Sequence, residues 1–276
     1  MKIRLKKYFV YHSLLLCLWA CKEHRDNESY KVSKDEEGNL QSEIHYISDS
    51  IIHGIAKYYY SRPANVLEDE FEYNNGKKDG WHKHYREDGT LESMVHYKNG
   101  LADGSDYRYY EDGIKIESEH YWQSGKNYGT SKLYYKNGQL ELFNVTDFYG
   151  GVLYVIRFDE KGHKTNEQGV VFSPKYLMFY TNDIALINIK NPVKRGKQIT
   201  FIISVAEPPQ TKTKISMGEL NKNDMIELPI RNGLATYKNV FTETGNYTLI
   251  AVGEIKDLNG NLIKKDSSSI NIIVEN

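Results

Sequence analysis

The chain has little cysteine, little proline, no surplus of either charge and no long apolar run beyond its first residues. Of 276 residues two are cysteine and six proline, and 36 Lys and Arg nearly cancel 37 Asp and Glu. Two cysteines cannot build the multi-bridge framework of a small secreted domain. Balanced charge removes the cationic surplus with which a nucleic-acid binder displaces phosphate counterions, so no nucleic-acid partner is expected. No later stretch approaches the roughly 20 apolar residues of a spanning helix, which excludes a polytopic helical membrane protein. The sequence also lacks a Gly-x-Ser-x-Gly elbow, a phosphate-cradling loop and a His-Glu-x-x-His helix. No catalytic residue or cofactor is therefore assigned, and the chain is not expected to be an enzyme.

Tyrosine is the residue present in excess. Nineteen of the 23 tyrosines precede residue 165, whereas five of the six prolines follow it. The chain thus divides into two compositional halves.

The first residues have a different character. Lys2, Arg4, Lys6 and Lys7 precede a short apolar core, Leu14 to Trp19, which ends at Ala20 and Cys21. That order is a secretory signal, too short to remain as an anchor. Leu18-Trp19-Ala20-Cys21 resembles the bacterial lipoprotein lipobox. The resemblance implies removal of residues 1–20, lipidation of Cys21 and attachment to the membrane through that lipid. It also implies a cell-envelope location, the outer membrane of a Gram-negative bacterium, with surface and periplasmic placement both open. Cys17 leaves with the signal, so Cys21 is the only cysteine of the mature chain. Loss of four basic residues leaves 32 against 37 acidic ones, a mature net charge of about −5 before histidine is counted. The polar residues that follow make 21–34 an expected flexible tether with a reach of about 20 Å.

From residue 35 to 164 three landmarks keep one period. Gly38, Gly89 and Gly113 each precede a His-Tyr pair (His45-Tyr46, His96-Tyr97, His120-Tyr121) with the tyrosine eight residues on. Gly54, Gly80, Gly104 and Gly129 each precede Tyr59, Tyr85, Tyr109 and Tyr134 by five residues. Between them lie Tyr73-Asn74-Asn75-Gly76, Tyr97-Lys98-Asn99-Gly100 and the one-residue-longer Tyr121-Trp122-Gln123-Ser124-Gly125. Asn-Gly and Asp-Gly supply the positive φ of tight hairpins. The segments alternate, with Trp81, Lys83 and Tyr85 on one face and His82, His84 and Arg86 on the other. Each unit is therefore expected to be a hairpin, and tyrosine suits a thin sheet because its ring packs while its hydroxyl stays wet.

These units resemble the bacterial variant of the MORN repeat, departing from it at Pro63, at Lys115, where Leu40, Leu91 and Leu140 fill equivalent positions, and from Phe143 to Val155, which closes the array. The resemblance implies an elongated meander of hairpins whose concave face contacts a partner. Trp81, Tyr85, Tyr109 and Tyr134 are the candidate partner-binding residues. His82 and His84 share a face as a chelating pair requires, but no third ligand accompanies them by spacing, and no metal site is assigned.

After Gln168 short Ile, Val, Phe and Thr runs replace the repeats: 184–189, 199–205, 225–230, 234–241, 247–255 and 270–274. Asn191-Pro192, Pro208-Pro209, Asn232-Gly233 and Asn259-Gly260 separate them. This pattern predicts a two-sheet sandwich over 169–276. Gly245-Asn246-Tyr247-Thr248-Leu249 is similar to the tyrosine corner of immunoglobulin-like domains, here without an inter-sheet disulfide. The fold class expected is all-β, a repeat meander followed by an Ig-like β-sandwich. The expected function is a lipid-anchored envelope binding or scaffold protein whose partner is a protein or a glycan. An antitoxin or immunity-type lipoprotein is the alternative from another class, and an envelope hydrolase working through surface carboxylates is a third.

Overall fold

A computed structural model describes residues 28–47, 50–173, 175, 177–180, 190–222 and 224–276. The signal segment, Cys21 and the expected strand 184–189 lie outside these residues. Among the described residues every regular element is a β-strand.

Twelve strands pair in chain order, each antiparallel to the next, into one meander. They are β1 Glu28–Lys34, β2 Leu40–Ile47, β3 Ile51–Tyr59, β4 Leu67–Asn74, β5 Lys77–Tyr85, β6 Leu91–Lys98, β7 Leu101–Tyr109, β8 Ile116–Gln123, β9 Lys126–Tyr134, β10 Leu140–Thr146, β11 Val152–Phe158 and β12 Lys164–Gly169. The sheet begins inside the segment expected to be a tether, because the Asp35 to Asn39 turn returns the chain to pair β1 with β2, Tyr30 opposite His45 and Val32 opposite Glu43. It also runs past residue 164, through Gly169 opposite Tyr154.

The two glycine ladders have different jobs. Asn75-Gly76, Asn99-Gly100 and Ser124-Gly125 form two-residue turns in which both residues have positive φ, the pattern of a type I′ hairpin. Gly54, Gly80, Gly104 and Gly129 instead sit inside strands, where the ladder slips: Val95 pairs with Asp106 but Tyr97 with Ala102. They are β-bulge glycines. At Gly104 φ is +120° and a Cβ would lie 3.2 Å from His96, so an L side chain is strained there.

Successive units are tied at both ends. At one, the hydroxyls of Tyr60, Tyr110 and Tyr135 donate to the carbonyls of Tyr85, Tyr134 and Phe158 at 2.6, 2.5 and 2.9 Å. Arg86 replaces tyrosine in the series and donates to the Tyr109 carbonyl at 2.6 Å. At the other end the N–H groups of Gly76, Gly100 and Gly125 donate to Ile52, Lys78 and Ala102, each at 2.8 Å.

One register differs from the sequence expectation. The turn after β7 closes from Tyr110 N–H to the Lys115 carbonyl, one residue longer than the turn from Arg86 to Thr90. Ile116 rather than Lys115 therefore takes the apolar place, opposite Tyr109 as Leu91 is opposite Tyr85. The shift persists along β8. Trp122 pairs with Gly104 where Tyr97 pairs with Gly80, and Tyr121 takes the place of His96. His120 is consequently not the equivalent of His45 and His96, and Tyr121 turns to the opposite face from Tyr97.

The C-terminal part is an Ig-like sandwich. One sheet is ordered β13 (Leu177–Tyr180), β15 (Gln198–Ser204), β19 (Leu234–Val240), β18 (Ile230–Arg231). The other is β14 (Val193–Lys194), β21 (Leu262–Glu275), β20 (Gly245–Asp257), β16 (Thr211–Glu219), β17 (Ile226–Leu228). In chain order these are strands A, A′, B, C, C′, D, E, F and G of an immunoglobulin-like domain, with A′ parallel to G. The tyrosine corner is formed, the Tyr247 hydroxyl donating to the Glu243 carbonyl at 3.0 Å. The expected single run 225–230 is instead the crossing from C′ to D. Strand β16 was not anticipated, because its first half, Thr-Lys-Thr-Lys, has no apolar residue.

Array and sandwich share one core. Phe143, Val145, Tyr154 and Ile156 of β10 and β11 are buried in the same cluster as Phe172, Ile203, Met217 and Leu249. Gly253 lets the linking segment lie flat on β20, since a Cβ there would meet Val171 and Phe172 within 2.8 Å. The Val171 N–H donates to Asp266 at 2.6 Å, and buried Ser173 donates to Asp147 at 3.2 Å. The blurred last unit is thus the seat of the second domain, its aromatic and aliphatic side chains replacing the polar ladder.

Removing one tie tests the repeat coupling. Tyr110→Phe should lose about 1 kcal/mol in urea denaturation, the net worth of one hydrogen bond. Gly104→Ala should cost about 1–3 kcal/mol through its backbone.

Candidate functional site

Cross-strand partners share a face, so the registers define one row of side chains across the sheet. It reads Glu43, Lys57, Glu70, Lys83, Met94, Tyr107, Glu119, Lys132 and then Phe143. All four candidate residues flank this row on the same face, Trp81 and Tyr85 from β5, Tyr109 from β7 and Tyr134 from β9. Four of the charges in the row are paired: Lys83 Nζ lies 2.7 Å from Glu70 and Lys132 Nζ 3.0 Å from Glu119. Between the two ion pairs the row becomes apolar. There Met94 accepts a hydrogen bond from Tyr109 at 3.2 Å, and the Trp81 ring lies 6.2 Å from Tyr107 and edge-on to His96 at 5.1 Å.

The structure brings Trp81 and Tyr109 into this aromatic centre and sets Tyr85 and Tyr134 beside the ion pairs. The Tyr134 hydroxyl donates to Glu119 at 3.2 Å. Burial, reinforced by that carboxylate, pushes its phenol up to about 12. Burial also raises the Tyr85 and Tyr109 phenols above their ordinary value. All four hydroxyl-bearing or indole side chains are half-buried, so each both packs the sheet and keeps an exposed edge.

The sandwich closes over the far end of this face. Its Asn232-Gly233 turn, with both φ positive, reaches down so that the Asn232 amide donates to the Tyr121 hydroxyl at 2.9 Å. Two clefts meet at this bridge. One of about 450 Å³ is lined by Ser105, Glu119, Tyr121, Thr130 and Lys132 of the array, facing Glu207, Pro209 and Asn232. Another of about 760 Å³ lies on the other side, between Asp103, Tyr121 and Gln123 and the crossing segment around Pro229 and Arg231. Sequence reasoning missed Glu119, Tyr121, Lys132 and Asn232. The available signal was the one-residue-longer spacing from Tyr121 to Gly125, whose extra residue lies in the turn after β7 and shifts the register so that Tyr121 turns toward the sandwich.

The opposite face holds the histidine pair. A carboxylate does accompany it: Asp69 Oδ1 lies 2.6 Å from His82 Nε2 and 3.0 Å from His84 Nδ1. These are hydrogen-bond distances that leave no space for an ion between the groups. No cluster of three or more His, Cys, Asp or Glu among the described residues is arranged to hold a metal. Phe71 stacks on His82 at 4.0 Å, with Lys78 Nζ 3.8 Å from the Phe71 ring.

No family model matches the sequence, and no curated protein matches it. Among solved structures the chain is similar to the extracellular domain of a protein described as a one-component system from B. thetaiotaomicron, at 12% identity and a TM-score of 0.27. That match covers 90% of this chain and 31% of the other, so the chain spans about a third of its length.

Burial lowers the pKa of His82 below its ordinary value of 6.5, outweighing the opposing pull of Asp69, while Lys78 and His84 add to the lowering. The unfolded chain consequently binds more protons once pH drops below 6.5, and stability falls on acidification. NMR titration should place the His82 midpoint below 6.5. His82→Gln, which keeps a donor toward Asp69, should flatten the loss of stability between about pH 7 and 5.

Proposed function

We propose that the protein is a lipid-anchored binding or scaffold protein of the bacterial cell envelope, built on MORN-like repeats. The observation that carries the binding role is the single face on which Trp81, Met94, Tyr107 and Tyr109 form an aromatic and thioether centre between two ion pairs, running into the clefts under the sandwich. Neutralised charge around an amphipathic aromatic patch is the composition of a recognition surface. The lipobox Leu18 to Cys21 supports the anchor, and the regular bulges and turns support the repeat resemblance. The array holds its residues by periodic ties, in keeping with a protein that presents a surface.

The anchor reading predicts that the wild-type chain, expressed in a Gram-negative host, partitions with membranes and incorporates radiolabelled palmitate, whereas Cys21→Ala does neither. Equal membrane retention of the two, with no label in the wild type, overturns it.

A further inference from the structure

We propose that the cleft between the repeat face and the Asn232-Gly233 turn binds a neutral oligosaccharide, with Tyr121 as its stacking platform. The proposal rests on the reading of this face as a binding surface and gives it a ligand class. The cleft's volume, about 450 Å³, falls in the range of small-ligand sites, roughly 300–1,000 Å³.

Three features of the lining select the ligand. First, its lysine is spent: Lys132 sits 3.0 Å from Glu119, which also accepts from Tyr134, while the other carboxylate, Glu207, accepts the Gly233 N–H at 3.3 Å. An anionic ligand finds no uncompensated cation there, and a cationic one finds no uncompensated carboxylate on the array side. Second, the backbone of the array wall has nothing to offer an extended peptide. Strands β7 to β10 are interior strands with neighbours on both sides, so strand addition has no open edge on that wall. On the other wall Pro209 lacks an N–H group. Third, what remains is a set of small hydroxyl, amide and carboxylate groups (Ser105, Thr130, Asn232, Glu119) around the Tyr121 ring, with His120 and Phe143 also in the lining. Sugars have the complementary chemistry: hydroxyls that both donate and accept, and an apolar ring face that packs on an aromatic side chain. The larger cleft continues past the Tyr121 to Asn232 bridge, so the ligand has room to extend by further residues beyond the platform.

The test is binding of the full-length chain, held in detergent micelles, to an array of neutral plant, fungal and bacterial oligosaccharides, followed by calorimetric titration of the best binder. Acidic oligosaccharides and peptides serve as comparison probes. Tyr121→Ala should weaken binding by about tenfold or more, the scale of one lost stacking contact. Glu119→Gln should weaken it several-fold while keeping the side chain's size. Thermal melting of both variants separates lost binding from lost folding, and Tyr121→Phe, which keeps the ring but not the bond to Asn232, should retain most of the affinity. Absence of binding to every neutral oligosaccharide overturns the proposal, as does preference for an acidic glycan or a peptide. Binding abolished by Trp81→Ala but untouched by Tyr121→Ala and Glu119→Gln also overturns it, while leaving the repeat face as the binding surface.

Discussion

A hydrogen bond between units two strands apart sets the geometry of the whole array. Neighbouring strands lie about 4.8 Å apart, so equivalent points in successive hairpins are roughly 10 Å apart. Only a long side chain with a polar tip spans that gap. Tyr60, Tyr110 and Tyr135 do so with a phenol and Arg86 with a guanidinium, each ending on a carbonyl of the next unit. At the opposite end the turn glycines make the corresponding tie with their own N–H groups. Each unit is therefore fixed to its neighbours by the strand ladder and at both turns, which is how a thin sheet with few fully buried side chains holds a regular form. Ala56 is the one fully buried aliphatic side chain in its first six strands.

A repeat sheet of this kind has to end on something apolar or capped, because each unit buries its faces only against a neighbour. Here the end is a second domain. The polar row Glu119 and Lys132 gives way to Phe143 and Ile156 in the next two strands, and the Ig-like sandwich takes these residues into its own core. The joint is thus as hydrophobic as a domain interior, and its rim is polar. At that rim the extra residue after β7 matters: it shifts β8 by one position, and Tyr121 faces the sandwich instead of the far side. A change that a repeat-by-repeat reading treats as a local irregularity decides where the two domains touch.

Much of the fold was legible because its signals are local. Asn-Gly dipeptides, alternation and the fixed glycine spacing report directly on turns and strands, and Gly245 to Leu249 reports on the tyrosine corner. The misreadings came from non-local effects. Lys115 was given the place of Ile116 because a turn length is visible only once its closing bond is seen. Strand β1 read as a tether because Ser, Tyr, Lys and Val in alternation are held by β2, not by their own propensity. The site was half legible. Trp81, Tyr85, Tyr109 and Tyr134 share a face by period alone, but Asn232 lies 111 positions from Tyr121, and no spacing rule joins a repeat tyrosine to an Ig-like turn.

The union of the two domains also gives the repeat number a meaning. The aromatic centre belongs to β5 to β7 and the cleft to β7 to β10, so their separation is measured in strands. Adding one hairpin of about 24 residues where they meet would preserve the strand ladder of the sheet and move the centre relative to the cleft by roughly 10 Å. Stacking energy is indifferent to such a change, because one unit meets the next in the same way. The proposed recognition of an extended ligand by both regions is not indifferent to it. The sandwich, seated on a fixed pair of strands, therefore acts as the reference point from which the array measures distance along its own face.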